Sequence, residues 1–245
     1  MNIPNNKSKS LVETTTQGII DYITERKMEP GDKLPTEAEF LEIFEVSRGT
    51  LREAFKILVA RNVLEIRQGS GTFISPNKGI PDDPLGLTFI YDDHTLALDL
   101  LDVRLMLEPK IAQLAAINAT DEQKERMEVL THRLTECINN GTSYADVDTE
   151  FHQLVAEASG NRVLSNISYI LISSIQKNIA ITLDVQKISN TLHYHTRILN
   201  DIINADAVGA FYDMTMHLNL LREFMVDKLH EKQNSSKYEN TLKKY

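Results

Sequence analysis

At 245 residues the chain has room for one large domain or two modest ones, and 42% hydrophobic with 25% charged residues is an ordinary composition for a soluble globular protein. One cysteine, Cys137, excludes an internal disulfide and reads as a small apolar residue on a helix, in keeping with a reducing, cytoplasmic setting. The net charge of −9 is unevenly placed: residues 1–78 carry 11 Lys and Arg against 11 Asp and Glu, and the rest carry 15 against 24.

No segment at the N-terminus has the basic-then-apolar pattern of a signal peptide. The most apolar stretch, Tyr169 to Leu183, is interrupted by Gln176, Lys177 and Asn178 and is too short and polar to span a bilayer. Residues 1–9 are polar and predict a frayed start. Helical spacing of Ile19, Ile20 and Ile23 predicts a first helix from Leu11 to about Arg26, and Glu29-Pro30-Gly31-Asp32 a turn. Thr36 with Glu39 forms a capping box that opens a second helix to about Phe44. Ser47 caps a third to about Arg61, with Leu51, Ala54, Phe55 and Leu58 inward. Leu64, Ile66, Phe73 and Ile74 fall on two short strands joined at Gln68-Gly69-Ser70-Gly71. Three helices and a hairpin make a winged helix-turn-helix over residues 1–75.

Five prolines and glycines mark 76–93 as a linker. Beyond it, helical segments are expected at about 95–118, 121–139, 143–158, 162–184, 187–203 and 206–230, separated by short breaks. The fold class is therefore mainly α: the winged helix-turn-helix followed, over 94–230, by an antiparallel all-α bundle. The polar residues 231–245 read as a disordered tail.

Arg48 and Arg52 lie one turn apart at the start of the third helix, where a recognition helix enters the major groove. Arginine binds guanine bidentately or clamps phosphate. Ser47 and Thr50 can contact phosphate or bases, and Gly69 and Gly71 let a wing tip approach the backbone closely. Each feature alone also fits a solvated surface helix and a casual hairpin; their order within 41 residues favours DNA reading. A charge-neutral reader binds DNA modestly and with strong salt dependence, which argues for two copies acting together.

Gly31, Leu34-Pro35, Glu37, Val46-Ser47-Arg48, Thr50, Arg52-Glu53-Ala54, Leu58 and Gly69-Ser70-Gly71-Thr72-Phe73 resemble the DNA-binding domain of the GntR family of bacterial transcription regulators. The resemblance implies a homodimer on a short palindromic operator in double-stranded DNA, with contacts at Arg48, Thr50, Arg52, Gln68 and Gly69. Ala38 stands where many relatives have a DNA-contacting arginine. Gly49 replaces a larger residue, and Gln68 a basic or histidine wing residue, so operator sequence does not transfer.

In the bundle, Asp148 and His152 are four apart and share a helical face. If the last two helices turn back near Ala205, His195 stands ~15 Å before the turn and His217 ~18 Å after it, so their imidazoles can meet. One Asp and three His suit Zn²⁺ first, with Ni²⁺, Mn²⁺ or Fe²⁺ as alternatives. Spacing alone leaves the four open between ligands and ordinary structural residues. His94, His132, His193 and His230 carry no such pattern, and His193 points away from His195.

Asp99-Leu100-Leu101-Asp102-Val103-Arg104, Leu107-Glu108-Pro109, Asp148-x3-His152, Ala158-Ser159-Gly160-Asn161, His195-x2-Ile198-Leu199 and His217-Leu218 resemble the FadR subfamily of GntR regulators, the FCD type. The resemblance is to its metal-containing, carboxylate-sensing branch, and it implies metal at Asp148, His152, His195 and His217. It also implies that Arg104 faces the cavity, where a small carboxylate is its natural bidentate partner; an internal salt bridge to Glu108 is the competing reading. Ser174 and Asn178 enter as pocket candidates on helical spacing alone.

The expected function is a DNA-binding regulator, a repressor in the family's commoner logic, whose metal site and bound organic acid change operator affinity. Three rivals remain at this stage. One is a regulator for which the metal is the signal or only structural. Another senses a larger apolar ligand, which would leave buried Asp and His unpaired. The last is a metal-dependent enzyme, for which no general base or catalytic motif stands out.

Overall fold

In the computed structural model, residues 9–77, 79–90, 93–178 and 185–242 are described, with side chains at 93–94, 175–178, 185–190, 228–229 and 231–242 excepted. The chain divides into two compact units, Met1–Gly86 and Leu87–Tyr245.

The first unit is built from capped helices. α1 (Leu11–Glu25) and α2 (Glu37–Phe44) each open on a capping box, Ser10 with Glu13 and Thr36 with Glu39. The side-chain oxygen satisfies an orphan amide and the glutamate returns the bond, worth ~1 kcal/mol per cap. α2 ends at Glu45 in the left-handed conformation, φ 50°, and two residues later Ser47 caps α3 (Arg48–Ala60). That tight reversal sets α3 against α2. β1 (Leu64–Arg67) and β2 (Gly71–Ile74) pair antiparallel, Leu64 opposite Ile74 and Arg67 opposite Gly71, and Lys33 bridges to Phe73 on the far side. Ile19, Leu34, Phe40, Leu51, Ala54, Phe55, Leu58, Leu64 and Ile74 form one core, with Phe40 held between the rings of Tyr22, Phe44 and Phe55. The four inward positions expected on α3 are all buried. Three helices and a two-stranded hairpin give this unit the expected winged helix-turn-helix. Within the segment 76–93, Gly79 donates to the Asn62 carbonyl, and the Asn62 amide donates to Ile80 O and Asp82 Oδ1. Asn62 sits at φ 53°, which turns its side chain toward this segment.

The second unit is all helical among its described residues: α4 (Asp93–Asn118), α5 (Asp121–Asn139), α6 (Ala145–Ala158), α7 (Arg162–Asn178), α8 (Val185–Ile203) and α9 (Ala207–Leu242). α4 runs through the middle and packs on α6, α7, α8 and α9. Its inner stripe reads Ala97, Leu101, Arg104, Glu108, Ile111 and Ala115, spaced four and three apart and all buried. Two charged residues thus occupy core positions. Pro109 lies inside α4 and withholds one backbone donor next to Glu108. Cys137 is a free thiol, partly buried against the bundle core. α8 and α9 form a hairpin whose turn places Ala205 at φ 56°. α9 continues as helix to Leu242, past Glu231 where polar composition predicts a tail; elongating a formed helix needs no new nucleus. Of the frayed start expected at 1–9, residues 1–8 lie outside the described residues, as do 179–184 of the helix expected at 162–184.

Candidate metal centre and nucleic-acid interface

Three helices bring histidine into the bundle because each histidine takes a slot in an apolar stripe. On α6, His152 lies among the buried Val147, Phe151, Leu154 and Val155. On α8, His195 precedes Ile198, Leu199 and Ile202 at the same spacing, and on α9 His217 follows Ala210 and Met214. Burying those stripes carries the imidazoles inward: His195, His152 and His217 are 0%, 2% and 6% exposed. Asp148, one turn before His152, reaches in from a partly exposed position.

One ligand atom from each of Asp148, His152, His195 and His217 lies within 4.8 Å of the others. His152 Nε2 stands 3.2 Å from His217 Nε2, and Asp148 Oδ1 is 3.2 Å from His195 Nε2 and 4.0 Å from His152 Nε2. Phe151, itself fully buried, stacks on the His195 ring at 4.3 Å between centroids and sets its plane. Neither ring nitrogen of His195 has a well-aligned hydrogen-bond partner among the described residues. Such buried polar atoms are costly unless something else satisfies them.

Burial pushes His195 below its ordinary range against the pull of Asp148, and pushes His217 well below, helped by the other two imidazoles. Burial would raise the Asp148 carboxyl, but the contact with His195 and the fields of the three imidazoles outweigh it and hold it well below the usual range. Imidazole nitrogens and a carboxylate oxygen are donors that a divalent transition metal takes, so the donor set fits one.

Arg104 and Glu108 lie beside this cluster. Arg104 Nε donates to Glu108 Oε1 at 2.5 Å and Nη2 to Oε2 at 3.2 Å, both side chains buried. Burial opposes both charges. The mutual attraction wins, raising Arg104 and, with His152, lowering Glu108 to about 2. The guanidinium expected to face a ligand carboxylate thus has an internal partner, the salt bridge that the i, i+4 spacing allows. Ser174 is buried and donates to the Ile170 carbonyl at 2.7 Å. The side chain of Asn178 lies outside those described. His132, His193 and His230 are exposed, and the side chain of His94 is not described.

In the first unit, Arg48 and Arg52 are exposed along one side of α3, and Thr50 is half-buried between them. Ser47 Oγ accepts from Thr50 N at 3.2 Å and meets Thr50 Oγ1 at 2.9 Å, so its hydroxyl first serves the cap. Arg52 donates to Glu37 of α2 at 3.2 Å, a partner not identified from sequence. Gln68 and Gly69 are exposed at the hairpin tip, where Gly69 takes φ 74° and Gly71 φ 119°. Arg67 stands over the Phe73 ring, 4.2 Å from its centroid, and stiffens the wing.

The contacts that sequence reasoning missed are those of Glu37 with Arg52, of Phe151 with His195 and of Glu108 with the cluster. Only the two charges at core positions of α4 gave any signal for the last.

Two family models match. Residues 11–74 match the bacterial regulatory proteins of the gntR family, and 99–220 match the FCD domain. A solved structure of a Streptococcus agalactiae GntR protein is 37% identical, covers 86% of this chain and 99% of its own, and superposes with a TM-score of 0.76. The galactonate operon transcriptional repressor of Escherichia coli is 29% identical, over 84% of this chain and 90% of its own. LutR, an HTH-type transcriptional regulator of Bacillus subtilis, is also 29% identical, over 81% of this chain and 94% of its own. No described helix is long and apolar enough to cross a membrane. With both family models matched along the chain and a 37%-identical GntR structure covering 86% of it, this chain belongs to the GntR family and is a DNA-binding transcription regulator, not an enzyme.

Proposed function

We propose that the chain is a cytoplasmic, homodimeric repressor whose second unit holds a divalent transition metal at Asp148, His152, His195 and His217. A small organic acid bound beside that metal weakens operator binding. The observation that carries the reading is the convergence of four ligand atoms within 4.8 Å in a buried site. A metal bound there supplies positive charge and open coordination positions, to which a carboxylate is a natural ligand. Arg104 stands close enough to offer a second positive charge, provided it exchanges Glu108 for the incoming acid. Galactonate, named in one relative, is an acid of this class.

On DNA, Arg48 and Arg52 read bases in the major groove, with Thr50, Gln68 and Gly69 contacting the duplex and Ser47 the phosphate nearest the cap. A dimer places two such helices on the halves of a palindromic operator. The acid changes operator affinity only by as much as its own affinity differs between the free and the DNA-bound protein.

The test is a melting experiment with sugar acids, hydroxy acids and dicarboxylates, each with and without prior metal removal. An acid at one hundred times its dissociation constant stabilises by about 2.7 kcal/mol. A shift that disappears after metal removal supports the reading. A shift that survives it would place the acid away from the metal. Metal-dependent release of operator DNA with no acid present would instead make the metal itself the signal.

A further inference from the structure

Glu108 is buried to 2% exposure on the inner stripe of α4, where its two oxygens serve two clients. Oε1 accepts from Arg104 Nε at 2.5 Å. Oε2 accepts from Arg104 Nη2 at 3.2 Å and lies 2.8 Å from His152 Nδ1, an approach less well aligned than an ideal hydrogen bond. The opposite nitrogen of that ring, Nε2, faces His217 Nε2 and Asp148 Oδ1. A neutral imidazole carries one N–H and one lone pair, and a carboxylate can only accept. The proton therefore belongs on Nδ1, toward Glu108, and the lone pair on Nε2, inside the cluster. Arg104 Nη2 meets the same carboxylate oxygen, so the guanidinium draws on the negative charge that Glu108 presents to His152.

We infer that Glu108 is a positioning residue which presents His152 to the metal, and that Arg104 and the metal act on one another through it. This rests on the reading that the cluster holds a metal. An organic anion that draws Arg104 away leaves Oε2 wholly to His152, whose Nε2 then becomes a better ligand; loading the metal in turn loosens the hold of Glu108 on Arg104. Acid and metal binding thereby reinforce each other, and by linkage each raises the affinity of the other by the same factor. If Glu108 served only to neutralise a buried arginine, removing both charges together would leave the metal site unaffected.

The experiment is a double-mutant cycle on the full chain. Zn²⁺ affinity is measured by competition with a chromophoric chelator, alongside melting of the chelator-stripped protein. E108Q is expected to weaken Zn²⁺ binding by about 10–100-fold, the usual cost of losing such a partner. R104Q strengthens Zn²⁺ binding in the Glu108 protein, and by clearly less in the E108Q background; any direct repulsion between Arg104 and the metal is common to both and cancels in the cycle. E108Q also strands a buried guanidinium and lowers the melting temperature. R104Q/E108Q removes both charges, so its melting temperature recovers while Zn²⁺ binding stays weak. The inference is overturned if Zn²⁺ affinity recovers with stability in R104Q/E108Q, or if R104Q acts equally in both backgrounds. Unchanged affinity in E108Q beside normal binding by the wild type refutes this inference alone. A wild type that binds no Zn²⁺ or other divalent metal refutes the metal reading and this inference with it.

Discussion

His195→Leu separates what the cluster does for stability from what it does for binding. The ring is 0% exposed, stacked on Phe151, and both its nitrogens lack aligned partners. An unsatisfied buried polar atom costs about 1–3 kcal/mol. Leucine has nearly the volume of the imidazole, so the shape mismatch costs less than about 1.5 kcal/mol. Leucine also withdraws the contact that His195 Nε2 makes with Asp148 Oδ1 at 3.2 Å, so gain and loss offset and the metal-free variant is expected to lie within about 2 kcal/mol of the wild type. The metal response moves the other way. At one hundred times its dissociation constant a metal stabilises the wild type by about 2.7 kcal/mol. That corresponds to about 5–10 °C for a chain of this size. The variant, lacking one of four ligands, should show little of this. The assay is thermal unfolding of both proteins with chelator and with added Zn²⁺ or Ni²⁺. A variant that keeps the full metal shift would show that His195 is no ligand. A metal-free variant several kcal/mol less stable than the wild type would show that the imidazole is satisfied, contrary to the argument.

Arg52→Ala and Arg48→Ala should each cost roughly 1–3 kcal/mol on the operator if they read guanines; equal losses on random DNA in a binding titration would limit them to phosphate contact. Ala205 holds φ 56° at the α8–α9 turn, where a side chain is strained and glycine is not. Ala205→Gly should raise stability in urea unfolding by up to ~1 kcal/mol, and a lowered midpoint would contradict the strain. At the same hairpin, burial and then Asp213, with Asp206 beyond it and Arg197 partly opposing, push the Asp201 carboxyl up from 3.8 to about 6. A group raised on folding stabilises fully below its unfolded value and loses that contribution as pH rises through about 6. Asp201→Asn should therefore gain stability over wild type between pH 4 and pH 8, by on the order of 1 kcal/mol once solvent screening is allowed for. A difference that does not change with pH would refute the assignment.

Local chemistry was enough to place the elements. Capping at Thr36 and Ser47, the glycine-tipped hairpin and the 3.6-residue stripes of the bundle all act within a few residues, so they are written in the chain. The meeting of His195 and His217 was legible for a related reason: an antiparallel hairpin puts residues equally far from its turn at equal heights, and the ring centroids lie 4.9 Å apart. What the chain does not state locally is how far each helix is rotated about its axis when it packs. That rotation decided that Glu108 touches His152 as well as Arg104, that Phe151 lies flat on His195, and that Arg52 reaches Glu37. These contacts join helices through side-chain packing, which no spacing rule encodes, and the first two decide how the imidazoles of His152 and His195 are held.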